Sequence, residues 1–356
     1  MLCMAAAAML AARAESCAAQ GQALEAENVG VAHIEAVSPQ RGVDLDVTVW
    51  YPASPGGAAT VLGESPFFVG TAAMLGAPVA DGTFPLVLLS HGAGMAGNAQ
   101  ALSWIAAPLA KRGFIVAVPD HPGNGGINRS AKETLKLWLR PGDISDSLTA
   151  VEKNAFFGRH LDEGKVGVLG LSAGGGTALA LAGARIDPVR LSAYCDTDAL
   201  NPSLCGWLRE SGVDLHAMDM RSADRDNEDR RIRFAMAIDP APVDVFQPAS
   251  FSRISIPVDI VNLGRPDTIP LTARARDVAK TIAAARYSVI EDASHFSMFA
   301  VCKPGAAEKA EAAKVGDPIC TDGGGRPRNE LHAQLIDLVV AAFERELVSV
   351  PRPTGQ

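Results

Sequence analysis

Residues 165–184 constrain the fold more than any other stretch. An apolar run over 165–169 meets Gly170-Leu171-Ser172-Ala173-Gly174, and a run of small residues continues to Ala184. A strand that passes into a helix without a linker must turn sharply, and glycines on both sides of the turn leave room for close packing. The same alternation recurs along the chain: β-rich apolar runs are separated by helical patterns, which implies a mostly parallel sheet covered by helices. Residues 31–37 and 45–51 read as an opening antiparallel hairpin. Residues 84–90, 114–119, 165–170, 233–238, 258–263 and 287–290 supply six further strands, for eight in all. The run 84–90 is nearly all apolar, as a strand buried on both faces requires. Helices are expected over 99–112, 142–160, 173–184, 269–285 and 329–348. The last carries Leu331, Leu335, Leu338, Val339 and Phe343 on one face.

Two stretches depart from this pattern. Residues 53–83 are rich in Gly, Pro and Ala and read as a long connection with one short helix. Residues 187–231 hold two cysteines, many Asp and Arg and little periodicity, and read as a cap-like insertion after the helix that follows Ser172. With neither a repeat nor a long linker, residues 28–350 form a single domain.

Composition excludes several classes. The chain is 48% hydrophobic, enough for a large core. Its 32 Lys and Arg against 40 Asp and Glu leave a net charge of −8 and no basic run for nucleic-acid phosphates. No apolar stretch after the N-terminus is long enough to span a membrane. Residues 1–12 are almost entirely apolar and end in Ala12-Arg13-Ala14, so a signal peptide over 1–14, with a leader to about residue 22, is expected. That places the protein in a secreted or periplasmic compartment. Of six cysteines, Cys3 and Cys17 fall in or beside this leader. The other four form two close pairs, and Cys195–Cys205 and Cys302–Cys320 are expected to be bridged. None stands in C-x-x-C, which argues against zinc and thioredoxin-type chemistry.

The chemistry centres on Ser172. Gly-x-Ser-x-Gly between a strand and a helix presents a serine hydroxyl at the tip of a strained turn, and this hydroxyl needs a base to become a nucleophile. In such an architecture the acid and then the histidine follow the serine. Three histidines do so. His216 lies in the irregular insertion and His332 on the polar side of a helix start. His295 emerges after a late strand and is the expected base. Asp267, in the turn after the strand 258–263, is the preferred acid, and Asp239, in Ile238-Asp239-Pro240, is the alternative. The oxyanion of a tetrahedral intermediate calls for two backbone N–H donors, assigned to Ala173 and to Ala93 in Ser90-His91-Gly92-Ala93-Gly94. His91 itself reads as a structural hydrogen-bonding residue.

Four segments together carry a family resemblance: Phe84-Pro85-Leu86-Val87-Leu88-Leu89-Ser90-His91-Gly92, Asp120-His121-Pro122-Gly123-Asn124, Gly170-Leu171-Ser172-Ala173-Gly174-Gly175 and Ser294-His295-Phe296. The chain resembles serine α/β-hydrolases of the dienelactone-hydrolase-like group, in the branch shared with platelet-activating-factor acetylhydrolases and the cutinase-like bacterial polyester hydrolases. The resemblance implies an α/β-hydrolase fold with Ser172 as nucleophile and His295 as base. For the acid, the acetylhydrolases resemble a choice of Asp239 and most hydrolases one of Asp267. Dienelactone hydrolases themselves use a cysteine where this chain has Ser172. The expected activity is hydrolysis of a small-molecule, lipid or polymer ester by a monomer, with no cofactor and no metal. An amidase or peptidase using the same triad, and a catalytically silent binding protein on the same fold, are the alternatives. The Gly-rich segment 120–126 lacks the Lys-Ser/Thr of a phosphate loop. The acidic run 224–229 lacks the glycine of a calcium loop and reads as a solvated charged face.

Overall fold

The apolar runs form the centre of a twisted sheet. The computed structural model describes residues 28–94, 97–125 and 129–348. The expected signal peptide and leader, with Cys3 and Cys17, lie outside the described residues. Ten strands pair into one sheet: β1 (Val29–Ala36), β2 (Leu45–Pro52), β3 (Ala58–Leu62), β4 (Thr71–Leu75), β5 (Phe84–Ser90), β6 (Ile115–Pro119), β7 (Leu161–Leu171), β8 (Ile232–Ile238), β9 (Val258–Leu263) and β10 (Ala285–Ile290). Their order is β10-β9-β8-β7-β5-β6-β2-β1-β4-β3. From β10 to β6 all neighbours are parallel, and β2 joins β6 antiparallel.

The two strands beyond the expected eight are β3 and β4, so residues 53–83 are not a connection with a short helix. They form an antiparallel pair that extends the edge through β4 and β1. Edge strands stand partly in water and need no continuous apolar run, which is why this composition hid them.

Helices cover both faces. On one side lie α1 (Ser103–Lys111) and α6 (Arg328–Phe343); on the other lie α2 (Arg140–Lys153) and α3 (Ala173–Leu181). Alternation along β5 serves both layers: Leu86 and Leu88 enter one cluster, Val87 and Leu89 the other. The expected helix over 269–285 shrinks to a 3₁₀ turn and α5 (Arg276–Thr281). The stretch 187–231 carries a short helix at Pro188–Ser192, then α4 (Pro202–Glu210) and a 3₁₀ turn, with little other regular structure. Both expected disulfides form, Cys195–Cys205 and Cys302–Cys320. His332 is buried rather than polar-facing: its ring stacks on Trp104 at 3.8 Å and its Nε2 pairs with the Ser297 carbonyl at 2.9 Å.

The strand order fixes where a site can lie. β6 sits on one side of β5 and β7 on the other, so the chain reverses its direction of winding at β5. Loops leaving the carboxyl ends of β5 and β7 therefore diverge and open a crevice between them.

Candidate active site

Ser172 stands at that crevice. It caps β7 and precedes α3, with φ of 54° and ψ of −118°, a backbone conformation rare for a residue with a side chain. Glycines make the turn possible. A Cβ on Gly170 would strike the Gly174 carbonyl, and one on Gly174 would strike the Ser90 carbonyl. The turn is tied to the next strand, because the Ser172 amide donates to the Ile238 carbonyl at 3.0 Å and the Ala241 amide to the Ser172 carbonyl at 3.0 Å.

His295 reaches the serine from the loop after β10. Its Nε2 lies 3.1 Å from Ser172 Oγ, and its Nδ1 lies 2.9 Å from Asp239 Oδ2. With Nδ1–H donating to the carboxylate, Nε2 is free to accept the serine proton. Asp239 is fully buried and directly follows β8 with φ of 45°. Its second oxygen accepts from the Leu263 amide at 2.8 Å and from Asn262 Nδ2 at 2.6 Å. Asn262 is held in turn by the Ala273 carbonyl, the Ala275 amide and the Tyr287 hydroxyl.

The expectation of Asp267 as the acid is corrected. Its side chain is 79% exposed in the turn after β9, and its closest cation, Arg265, is 3.9 Å away. The cause is one of position: β8 is paired with β7, so a carboxylate at its end emerges beside the serine turn, while β9 is one strand further out. Asn262 was not anticipated from sequence. The one signal was a polar amide within the otherwise apolar end of β9.

The oxyanion positions can be judged from the backbone. Ala173 is the first residue of α3, so its N–H has no acceptor within the helix. Ala93 follows β5 and lines the same cavity as Ser172, Ala173 and His295. That cavity has a volume of about 390 Å³. Leu135 and Leu137 form part of one wall. The 187–231 stretch gives Leu200, Pro202, Leu204 and Trp207, and the loop after His295 gives Phe296, Met298 and Phe299. The Arg129 guanidinium lies 4.1 Å over the Trp207 ring. Residues 53–83 do not line the cavity. They act from behind, where Phe68 stacks on Phe299 at 5.7 Å and bridges to Cys302 through the backbone.

Behind the Ala93 loop lies a second polar group, of which the sequence announced only His91 as a hydrogen-bonding residue. Ser90 Oγ is 2.9 Å from His121 Nε2, and His121 Nδ1 is 2.8 Å from Asp143 Oδ2. Arg41 grips Asp143 with Nε at 2.8 Å and Nη2 at 2.6 Å. The His121 amide donates to His91 Nε2 at 3.0 Å, and His91 Nδ1 meets the Gly92 carbonyl at 2.7 Å. Arg140 Nη2 donates to the His91 carbonyl at 2.5 Å. Burial holds both His91 and His121 well below the usual histidine range. Burial also lowers the Arg140 pKa to about 9.

Residues 86–304 match the model of the alpha/beta hydrolase family. A search among curated proteins finds no match. Among solved structures, a ferulic acid esterase from Streptomyces cinnamoneus is 20% identical, with 92% of each chain covered and a TM-score of 0.58. A puromycin-hydrolyzing peptidase of Mycobacterium tuberculosis is 14% identical over 90% of this chain and 40% of its own, with a TM-score of 0.50. A dienelactone hydrolase from Anabaena variabilis is 16% identical over 88% and 99%, with a TM-score of 0.46. At identities this low the likeness is one of fold.

Proposed function

Because the chain belongs to the alpha/beta hydrolase family, we propose that it is an exported serine carboxylic-ester hydrolase that works through an acyl-enzyme on a small or lipid-like ester. The observation that carries this reading is the unbroken line Ser172 Oγ, His295 Nε2, His295 Nδ1, Asp239 Oδ2 at 3.1 and 2.9 Å, opening on a mostly apolar cavity.

Ser172 attacks the ester carbonyl as His295 takes its proton. The developing oxyanion is met by the Ala93 and Ala173 amides. His295 then gives its proton to the leaving alcohol and later activates the water that clears the acyl group. Asp239 holds the tautomer and stabilises the imidazolium, with Asn262 and the Leu263 amide fixing the carboxylate from behind. The apolar walls suit an uncharged acyl or alcohol portion. Export is supported by the two disulfides, which persist in oxidising compartments.

The test is hydrolysis of p-nitrophenyl esters from acetate to octanoate, with matched anilides, by the wild type and Ser172→Ala. Ester turnover that disappears in Ser172→Ala is the expected result, and the chain-length profile then reports the depth of the cavity. A wild type inert on esters but active on anilides would replace this reading with an amidase.

A further inference from the structure

We propose that the buried Ser90–His121–Asp143 relay, together with Arg140, is a positioning device for the oxyanion loop: it sets the orientation of the Gly92–Ala93 peptide and thereby aims the Ala93 N–H at the reacting carbonyl. This inference rests on the esterase reading above.

The relay is not a second catalytic centre. Its hydrogen bonds run in the same sense as those of the open triad, hydroxyl to imidazole to carboxylate. Yet Ser90 is 0%, His121 2% and Asp143 0% exposed, so no ester can reach the hydroxyl. Its connections lead instead to the three residues before Ala93. Ser90 is held through its side chain by His121. His91 is held at its ring by the His121 amide and at its carbonyl by Arg140. The Gly92 carbonyl is held by His91 Nδ1 at 2.7 Å, with Arg140 Nη2 at 3.4 Å.

The last contact decides the argument. The Gly92 carbonyl and the Ala93 N–H belong to one planar trans peptide and point in opposite directions. Fixing the carbonyl on the protein side fixes the N–H on the cavity side. A free loop could turn this peptide by rotating two backbone dihedrals; here the carbonyl is pinned. The backbone on which the pin rests is also fixed, because the Ser90 and His91 carbonyls pack against Gly174 of the serine turn.

Arg140 gives the second line of evidence. It is 1% exposed, and among the described residues its Nε and Nη1 have no partner. A buried guanidinium is an expensive way to stabilise a core, where an apolar side chain would serve as well. What Nη2 holds accounts for its presence.

The experiment compares Ser90→Ala, His121→Gln, Arg140→Met and Arg140→Lys with the wild type. It measures kcat and KM on the best p-nitrophenyl ester, together with the affinity of an alkyl trifluoromethyl ketone, whose adduct on Ser172 carries the oxyanion. Loss of a whole oxyanion donor lowers kcat by about 10²–10³-fold, so a misaimed one should lower it by roughly tenfold or more. The expected result is such a fall in kcat with KM within about twofold, a parallel loss of ketone affinity, and partial recovery in Arg140→Lys relative to Arg140→Met. If Arg140→Met does not fold, Ser90→Ala and His121→Gln decide the question. Folded variants with unchanged kcat, or with ketone affinity retained while kcat falls, would overturn the proposal. A wild type inactive on esters is a different outcome, which removes the esterase reading itself.

Discussion

Two Ser–His–Asp lines run through this protein, and they differ in what faces the carboxylate and what faces the serine. In the open line, Asp239 is held by an amide N–H and an asparagine, both neutral, so its charge remains available to an imidazolium. His295 is 18% exposed at its side chain, and Ser172 lines a cavity. In the closed line, Asp143 is gripped by the Arg41 guanidinium, and His121 and Ser90 are sealed. Neutral donors leave a carboxylate able to support a proton on its histidine; a guanidinium already answers its charge. Burial of His121 works further against protonation. On the proposed reading, the same three side chains serve proton transfer in one place and rigid attachment in the other.

The largest expected difference comes from the carboxylates. Asp239→Asn should lower kcat by about 10⁴-fold, because the amide disfavours the productive His295 tautomer. Asp267→Asn should stay within twofold of the wild type, since that side chain faces solvent. Steady-state ester kinetics on the two variants check both, and equal losses would dissolve the distinction between them.

The closed line should break in stability rather than chemistry. Arg41→Met leaves Asp143 buried without its guanidinium, and loss of one partner of a buried pair costs about 3–5 kcal/mol. Urea unfolding of Arg41→Met beside Asp239→Asn would show the first far less stable than the second.

A smaller effect separates the walls of the two sites. The loop carrying Phe299 toward Cys302 is closed by Cys302–Cys320, while the closed line relies on packing, hydrogen bonds and the Arg41–Asp143 ion pair, with no covalent link. Replacing both cysteines by serine should cost about 3 kcal/mol in the chain-entropy view of an 18-residue separation. Thermal unfolding with and without reductant measures it: the wild type should lose more stability to reductant than the variant, which keeps only Cys195–Cys205.

The last effect is one of pH. His332, pushed down to about 4 mainly by burial, stays neutral in the fold over a range where the unfolded chain's histidine, near 6.5, takes a proton. Arg328 adds to the depression and Asp322 opposes it. The unfolded state therefore binds more protons, and stability falls as pH drops from 6.5 toward about 4. The slope from this residue is at most about 1.4 kcal/mol per pH unit, and His91 and His121 act in the same direction. Urea midpoints across this window for the wild type and His332→Gln should diverge by that slope.

Much of the open line was legible in the sequence, and almost none of the closed one. Ser172 was visible because a tight turn between strand and helix demands glycines at fixed offsets. His295 was visible because few histidines follow Ser172 in the chain. Asp239 and Asp267 both follow strands closely in sequence, and only the lateral order of β7, β8 and β9 separates them. Arg140 and Asp143 lie on a helix where charges ordinarily mark the wet face, yet both are buried, because the Ala93 loop and Arg41 close over them. A one-dimensional pattern records how often a charge occurs, not which partner from a hundred residues away will meet it.

Ser172 and Asp239 share one further property. Both have positive φ, as does Lys314 alone among the other described non-glycine residues. Glycine would sit more easily at either position, and backbone strain of this kind is worth about 1–3 kcal/mol. At Asp239 the gain is offset, because the buried Asn262 amide and Leu263 N–H would lose their acceptor; at Ser172 it is not, so selection for heat resistance alone would favour Ser172→Gly and remove the proposed nucleophile. A stabilisation screen on this scaffold needs a turnover readout in every round, because the strained backbone at Ser172 gives the fold something to gain where the proposed chemistry has everything to lose.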